Sequence, residues 1–309
     1  MNGAAHAGAR ACQTFGVPEG DTVFLTARRL TDALAGERLV HADLRHPRLS
    51  TADLAGRTVL GVASAGKHLL TRFDDERTLH SHLRLDGSWH LYRPGRPWRG
   101  GPSHSVRAVL QIADRFAVGY RLHDLALVRT ADERDLIGHL GPDLLAGDWD
   151  DAAESEAVRR LSQNPRAALG LALLDQTAMA GVGNVYRAEI CFLLGVSPWA
   201  PVSQVDMPAA VRLARELLWL NAWRPQRATT GDARRASRHW VYGRAGQACR
   251  RCGDAVRSAS MPDPQLHGAQ ALAAQRTIYF CPTCQPGPAR RAAAVPRSAT
   301  THRTARDTR

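Results

Sequence analysis

Pro18 and Glu19 stand side by side and together have the most distinctive reactivity in this chain. Inside a polypeptide the Pro18 nitrogen is an amide, whereas at a free N-terminus it is a secondary amine. Such an amine can attack a sugar aldehyde carbon and form an iminium, which is the chemistry of covalent catalysis by amines. The neighbouring Glu19 carboxylate is then placed to shuttle protons on the substrate. The pair predicts a nucleophile and a general acid/base.

The residues that precede Pro18 decide whether this chemistry is available. A GTG codon at Val17 would serve as a bacterial start and be read as methionine, and methionine before proline is normally removed. We therefore expect residues 1–17 to be a start-site artefact or a leader that the active protein lacks. The alternative is that Pro18 merely opens a helix whose first turn carries Glu19 and Asp21.

Four cysteines form two close pairs, Cys249/Cys252 and Cys281/Cys284. In a reducing compartment such pairs indicate a metal rather than disulfides. Four thiolates suit tetrahedral Zn²⁺, and the ion would be structural because no position is left for water. The gap between the pairs is longer than usual, and we interpret residues 258–274 as an inserted loop, which costs little closure entropy.

Two other segments could contact phosphate. The glycines of residues 180–183 and the helix predicted to begin at Asn184 would let backbone N–H groups approach a phosphate, although a tight interhelical turn is the simpler interpretation. Lys67 follows Gly66 at the start of a predicted strand, where it would pair with a phosphate or with a charged intermediate. A solvated lysine at a strand edge is the alternative.

Composition limits the classes of protein to consider. At 309 residues and 44% hydrophobic, the chain can bury two cores, so we expect two domains and a small module. A formal net charge of +12 indicates a polyanionic partner, with nucleic acid as the leading candidate and a well-solvated basic surface as the alternative. Neither a signal peptide nor a membrane-spanning run is found, so we expect a cytoplasmic, nucleoid-associated bacterial protein with no membrane partner.

Hydrophobic periodicity predicts the elements that position these residues. Residues 21–36 have helical spacing, and residues 95–103, rich in Pro and Gly, form a flexible loop. Six short alternating segments predict a β-sandwich. These segments are residues 57–63, 67–73, 78–85, 88–92, 106–113 and 116–122.

From about residue 133 the periodicity becomes helical and predicts a separate α domain. Its candidate helices are residues 133–139, 154–162, 166–177, 184–195 and 207–221. Residues 224–251 then carry eight arginines and one acidic residue up to the first cysteine pair. We therefore divide the chain into a leader (1–17), a catalytic β-sandwich domain (18–130), an α domain (131–235), a four-cysteine module (236–285) and a disordered basic tail (286–309).

Along the chain, the Pro-Glu-Gly start is followed by the strand lysine, then by the GVGN segment between helices, and then by the four-cysteine module. In this combination the chain resembles the formamidopyrimidine-DNA glycosylase/endonuclease VIII family over about residues 18–285. It looks closest to the second endonuclease VIII type of actinobacteria. The start PEGDT is more similar to the endonuclease VIII branch, which acts on oxidised pyrimidines, than to the 8-oxoguanine branch. The resemblance rests on the motifs VPEGDT, AGKHLL, LHSHLRLDGSW, LLDQTAMAGVGNVYRAE and QRTIYFCPTCQ.

The resemblance implies an α+β multidomain enzyme with an N-terminal helix and β-sandwich, a helix–two-turn–helix DNA-binding domain and a C-terminal four-cysteine zinc finger. DNA would lie in the cleft. Pro18 would be the Schiff-base nucleophile, Glu19 the general acid/base and Lys67 a catalytic lysine that holds phosphate. Asn184 and Arg276 would grip the phosphates beside a nucleotide that has been flipped out of the stack.

Arg84 and Leu85 match the position of the family's void-filling residues, which occupy the hole left by the flipped base. A hairpin residue packed on the sandwich is the alternative for Leu85. Asp86 departs from the family pattern because an acidic side chain near DNA is unfavourable. Thr22 is a second departure, since many relatives have a second glutamate there, so an accessory carboxylate is expected to be missing.

The function implied is a bifunctional DNA glycosylase and AP lyase of base excision repair. It would remove oxidised bases, pyrimidines in particular, through a Pro18 Schiff base and cleave the strand by β,δ-elimination. The expected partner of this monomeric, zinc-containing glycosidase is damaged duplex DNA, with single-stranded or bubble DNA as further substrates. Two alternatives remain: a non-catalytic DNA-binding protein, if Pro18 is not N-terminal, and a zinc-ribbon RNA-binding protein.

Overall fold

The computed structural model describes residues 17–261 and 276–287, which begin with a long helix. Helix α1 (Gly20–Leu34) follows the extended residue Glu19 and ends before Gly36, whose φ of 80° reverses the chain. Its apolar face packs between the strands and the later helices. The predicted helix over 21–36 is confirmed within two residues at its C-terminus.

Eight strands form the β-sandwich of two antiparallel four-stranded sheets. All six predicted strands are present, and two further strands, β1 (His41–Leu44) and β8 (Asp124–Arg129), were not predicted. Sheet order is β2-β3-β4-β8 in one sheet and β1-β6-β7-β5 in the other. The strands are β1 (His41–Leu44), β2 (Val59–Ala65), β3 (His68–Phe73), β4 (Arg77–His82), β5 (Ser88–Tyr92), β6 (Val106–Gln111), β7 (Phe116–Tyr120) and β8 (Asp124–Arg129).

Alternating side chains of the second sheet face opposite ways. Trp89, Ala117 and Leu110 point into the main core between the sheets. Val118 and Tyr120 belong instead to a small apolar cluster on the outer face. That outer face lies beneath residues 93–102, which connect β5 to β6. The predicted loop at 95–103 is confirmed as irregular, and it packs against the sheet.

The α domain follows the sandwich and has its own apolar core. The prediction of one helix over 166–177 is wrong, because only Leu169–Ala172 is helical there. The Asp175 side chain accepts a hydrogen bond from Thr177 N, and such a local turn competes with helix. The helices are α2 (Glu133–Ile137), α3 (Asp151–Leu161), α4 (Leu169–Ala172), α5 (Asn184–Leu193) and α6 (Met207–Ala222).

The four-cysteine module contains a two-stranded antiparallel sheet of β9 (Arg257–Met261) and β10 (Arg276–Phe280). The interpretation of 258–274 as a loop is therefore wrong for its first residues, which pair with β10. The module packs on α5 through Ala188 and Phe192, and this contact fixes its position on the α domain.

Some sequence-based expectations lie outside the described residues. These are the leader before Val17, most of the insertion at 262–275, and the tail from residue 288 onward. Among the helices that the structure describes, none combines the length and apolar character needed to cross a membrane.

Candidate active site

Glu19 lies at the N-terminus of α5, although 164 residues separate it from Gly183 in the chain. Gly183 N donates to Glu19 Oε2 at 2.8 Å, and Val185 N donates to Oε1 at 2.7 Å. Tyr186 N adds a longer hydrogen bond of 3.3 Å. Helix N-termini present unpaired N–H groups, so the backbone at the start of α5 holds the buried carboxylate in place.

Pro18 and Glu19 reach this position because glycines allow α1 to approach the segment before α5. Gly20 N donates to Gly181 O at 2.9 Å, and a β-carbon on Gly20 would lie 2.9 Å from Gly181 Cα. Pro18 is itself buried at this junction. Residues 180–184 (AGVGN) therefore contact the start of α1 through their backbone and accept a hydrogen bond from its first N–H group.

Asp21 and Arg227 form a buried ion pair beside Pro18 that no sequence pattern indicated. Arg227 Nη2 lies 2.5 Å from Asp21 Oδ1, with side chains only 10% and 4% exposed. Tyr186 Oη donates to Asp21 Oδ2 at 3.0 Å, and Arg227 Nη1 donates to the Val17 carbonyl at 3.3 Å. Although burial opposes it, the charges of Asp21 and Glu19 hold the pKa of Arg227 well above its ordinary value.

Asp21 places a buried carboxylate directly before Thr22. The Thr22 hydroxyl accepts from Arg227 Nη2 at 3.1 Å and so joins the same network. The only sequence signal for Arg227 was the arginine-rich character of residues 224–251.

Lys67 lies in the turn between β2 and β3 and points toward the same junction. Its Nζ donates to the Val182 carbonyl at 2.5 Å. Burial lowers the pKa of Lys67 to about 8, an effect that Glu19 opposes and that Arg276 and Arg227 reinforce. The β-sandwich and the α domain thus bring Lys67, Glu19 and Arg227 around Pro18.

Asn184 and Arg276 lie on facing parts of α5 and β10. Asn184 Nδ2 donates to the Thr277 carbonyl at 3.1 Å, which joins the helix to the strand that begins with Arg276. The buried Asn184 Oδ1 has no hydrogen-bond partner among the described residues. The Arg276 side chain is exposed. The two predicted phosphate ligands are therefore brought together at one end of the junction.

The predicted wedge lies on the hairpin between β4 and β5. Leu85 lies at the tip of this hairpin and is 66% exposed, so its side chain does not pack on the sandwich. Arg84 forms an ion pair with Asp124, and its φ of 49° places it in the left-handed region. Asp86 pairs with Arg121 at 3.3 Å, which offsets its negative charge. The hairpin therefore offers Leu85 as its apolar projection.

A cavity of about 420 Å³ adjoins Val17 and the Asp21–Arg227 pair. Its lining includes Arg227, Arg238, His239 and Tyr242, and no carboxylate of the described residues lines it. Arg238 Nε and His239 Nε2 are buried without a hydrogen-bond partner among those residues. Burial, with help from Arg227 and Arg238, lowers the pKa of His239 to about 4, so its ring is neutral near pH 7. No motif in the sequence marked this cavity.

The four cysteine sulfur atoms converge as their spacing predicts. All four lie within 4.8 Å of one another. The Sγ atoms of Cys249 and Cys284 are 3.8 Å apart, and those of Cys252 and Cys281 are 3.5 Å apart. A tetrahedral ion with Zn–S bonds of about 2.3 Å would place its ligands about 3.8 Å apart. The cluster fits a zinc ion with four thiolate ligands.

Family models match most of the part of the chain that builds this junction. The model of the formamidopyrimidine-DNA glycosylase N-terminal domain matches residues 17–137, and that of the H2TH domain of the same enzymes matches residues 140–227. The chain therefore belongs to the formamidopyrimidine-DNA glycosylase/endonuclease VIII family of DNA glycosylases and AP lyases, as its motifs indicate.

Within this family the chain is similar to actinobacterial relatives of the endonuclease VIII type. It is 53% identical to "Probable endonuclease 8 2" of Streptomyces coelicolor, over 89% of this chain and 96% of that protein. It is 42% identical to the DNA-(apurinic or apyrimidinic site) lyase Nei2 of Mycolicibacterium smegmatis, over 87% and 99% of the two chains. These similarities confirm the predicted subtype.

Solved structures confirm the fold. Formamidopyrimidine-DNA glycosylase of Lactococcus lactis, solved with DNA containing an AP site, superposes with a TM-score of 0.69 at 23% identity. The similarity covers 87% of this chain and all of that one. At this identity the likeness supports the architecture alone: helix and sandwich, helix–two-turn–helix domain and four-cysteine module.

Proposed function

We propose that this DNA glycosylase and AP lyase removes oxidised pyrimidines from DNA through a Schiff base on Pro18, in a form of the chain that begins at Pro18. Glu19 acts as the general acid/base, and Lys67 holds a phosphate of the substrate. The observation that carries the proposal is the fixed Glu19 carboxylate, which accepts from Gly183 N and Val185 N directly beside Pro18.

The charges around Pro18 suit a neutral amine nucleophile. Arg227 and Lys67 place positive charge at the junction, and nearby positive charge disfavours a second ammonium. The lone pair of a neutral amine is free to attack. With Val17 attached, the Pro18 nitrogen is an amide and has no such lone pair, so removal of the preceding residues is part of the proposal.

The reaction then follows from the groups in place. The Pro18 nitrogen forms a bond to C1′ as the C1′–base bond breaks, and the departing base takes a proton relayed by Glu19. The amine loses its proton, and the sugar opens by breaking C1′–O4′ with protonation of O4′, which leaves the iminium. Loss of a C2′ proton expels the 3′ phosphate, a second elimination expels the 5′ phosphate, and water releases the enzyme.

The DNA partner is supported by charge and by relatives. The relative in Lactococcus lactis was solved with AP-site DNA, and this chain carries a formal net charge of +12. We place the flipped base in the cavity lined by Arg238 and His239, where the unpaired Arg238 Nε–H suits an oxygen of an oxidised base and His239 Nε2 is a further unpaired polar atom. The cytosol is the compartment that fits such a substrate.

We further propose Zn²⁺ as the ion held by Cys249, Cys252, Cys281 and Cys284. The ion would supply folding free energy to the module rather than chemistry, because four thiolates complete its coordination. The module in turn positions Arg276 and the Thr277 carbonyl against Asn184.

Borohydride trapping on abasic duplex DNA tests the proposal. Two proteins are compared, one that begins at Pro18 after methionine removal and one that retains residues 1–17, each verified by intact mass. We expect a covalent adduct and strand cleavage from the Pro18-start protein alone, with both proteins folded. Equal trapping by the longer protein would overturn the proposal.

A non-catalytic DNA-binding protein is the second candidate. It is favoured by one observation, the hydrogen bond from Arg227 to the Val17 carbonyl, which shows that the junction accommodates a residue before Pro18. This candidate predicts that the native protein retains the leader, binds abasic DNA and forms no adduct.

A further inference from the structure

Residues 93–102 form an arginine- and tryptophan-bearing segment that the glycosylase reaction does not use. The segment, named here the Arg-Trp loop, connects β5 to β6. It contains Arg93, Arg96 and Arg99, all exposed, and Trp98, which is 37% exposed. No acidic residue occurs anywhere between Asp86 and Asp114. The loop therefore presents concentrated positive charge beside an aromatic ring.

Contacts with the outer face of the second sheet hold the Arg-Trp loop in place. The Trp98 ring stacks on Tyr92 with centroids 6.1 Å apart and meets Phe116 edge-on at 5.7 Å. Arg99 N donates to Tyr92 Oη at 3.0 Å. A β-carbon on Gly100 would lie 2.3 Å from the Tyr120 ring, so glycine is needed for this close packing. The loop is a fixed platform.

The guanidinium groups of the Arg-Trp loop have no acidic partner. Among the residues that the structure describes, Arg93, Arg96 and Arg99 form no ion pair with a carboxylate. By contrast Arg84, Arg121 and Arg129 in the same domain are each paired with an aspartate. Unpaired arginines on a fixed loop are available to an external anion without first breaking an internal ion pair.

The platform continues directly from the wedge hairpin. Arg121 Nε donates to the Asp86 carbonyl at 2.9 Å, and Arg121 Nη2 lies 3.5 Å from the Gly100 carbonyl. One side chain thus joins the end of the Arg-Trp loop to the residue after Leu85. DNA engaged by the wedge would reach the loop without leaving the protein surface.

We propose that the Arg-Trp loop is a binding site for single-stranded DNA that flanks the lesion, with a base stacked on Trp98 and phosphates on Arg93, Arg96 and Arg99. Aromatic rings that stack bases, combined with arginines that follow the backbone, are the chemistry of single-strand binding without sequence preference. A stacked aromatic platform favours nucleic acid over an acidic peptide, whose carboxylates would use the arginines alone. The inference rests on the proposed function, because the wedge places DNA at this end of the sandwich.

Fluorescence anisotropy with labelled substrates of two kinds tests the site. One is a short abasic duplex with flush ends, and the other carries a (dT)10 overhang on one strand beside the lesion, at the 5′ or 3′ side. We expect an overhang to tighten binding about tenfold in the unsubstituted protein. Trp98→Ala and the triple variant Arg93→Ala/Arg96→Ala/Arg99→Ala should lose this gain, and Trp98→Phe should keep most of it. The gain in affinity from the overhang should also depend less on salt in the triple variant. The slope of its logarithm against the logarithm of salt concentration should be smaller in magnitude by about 2, because three phosphate contacts are lost.

Matched controls separate the site from general effects. Trp223→Ala removes an aromatic ring that is 47% exposed on a different surface, and Arg134→Ala removes an exposed cation on α2; both should keep the gain. All variants should retain borohydride trapping on the flush duplex and a cooperative thermal unfolding transition. If trapping fails in every protein, the proposed reaction is wrong, whereas the overhang comparison still reports on the loop.

Three results would overturn the inference itself. One is an overhang gain that survives in both Trp98→Ala and the triple variant. Another is the absence of any gain for overhangs on either side. The third is competition by polyglutamate of matched charge as effective as competition by (dT)10, since this would assign the surface to an acidic protein.

Discussion

Gly183 lies so close to Glu19 that a β-carbon on Gly183 would be 2.5 Å from the carboxyl carbon of Glu19. The Gly183 N–H donates to the same carboxylate at 2.8 Å. The glycine is therefore needed for the hydrogen bonds that fix the Glu19 carboxylate, and its backbone φ of −128° shows that close approach, rather than a left-handed conformation, is the reason.

Gly183→Ala is expected to displace Glu19 and lower the single-turnover rate of abasic-strand cleavage by about 100-fold, because misplacement by about 1 Å has this effect on catalytic groups. Gly147→Ala is the matched control, since a β-carbon at that residue would have no atom within 4 Å. Unchanged cleavage by Gly183→Ala would show that the position of Glu19 does not limit the reaction.

Lys67 should give the reaction an alkaline limit. Its pKa of about 8 means that the ammonium is lost as the pH rises through that value, so single-turnover cleavage should fall above it if the ammonium holds a phosphate. In Lys67→Arg the cation persists at high pH. The alkaline fall of the cleavage rate should therefore move to a pH above about 10, since arginine stays protonated there. If the cleavage rate falls at the same pH in both proteins, the titrating group is not Lys67.

The same group predicts a stability trend. The pKa of Lys67 is about 8 in the folded protein against an ordinary value of 10.5, so the unfolded state binds more protons between these two pH values. The free energy of unfolding should therefore rise with pH across this window, and Lys67→Met should lack that contribution. Urea unfolding at several pH values measures it.

Arg227→Met should destabilise the fold by about 3–5 kcal/mol, because it leaves the Asp21 carboxylate buried and unpaired. The double variant Asp21→Asn/Arg227→Met should recover part of this loss, since no uncompensated charge remains. Urea unfolding of the four proteins in the double-mutant cycle gives the coupling. Additive effects would contradict the pairing seen at 2.5 Å.

Leu85→Ala should leave stability within about 0.5 kcal/mol of the unsubstituted protein, because the side chain is exposed. Excision of an oxidised pyrimidine from duplex DNA should fall about tenfold, while excision from a single strand should not change because no hole must be filled. Leu60→Ala, with 62% exposure on β2, is the control. Equal losses on both substrates would exclude a wedge.

Removal of metal should unfold the four-cysteine module and weaken DNA binding. We expect one zinc ion per chain, released by chelators together with loss of the β9–β10 sheet. The Cys252→Ser protein should bind zinc more weakly, and its DNA binding should be weaker as well. A metal-sensitive dye and anisotropy on abasic duplex measure release and binding. Full DNA affinity without metal would show that Arg276 and Asn184 do not need the module.

The sequence determined the features that depend on local chemistry. The spacing of Cys249, Cys252, Cys281 and Cys284 fixed their convergence, because each pair is placed by a short turn. Alternating apolar residues fixed the central strands, since their two faces meet different surroundings. The same patterns missed β1, which is only four residues long, and β8, which follows β7 after a short turn.

Only the tertiary structure decided which distant groups meet. Asp21 and Arg227 are 206 residues apart, and no local pattern marks them as partners. Glu19 gains its hydrogen bonds from α5 because glycines let two segments approach within backbone contact, a steric condition that no local residue pattern specifies. The cavity at Arg238 and His239 likewise exists only where the chain returns beside α1. Chemistry that depends on spacing was predictable, whereas chemistry that depends on long-range packing was not.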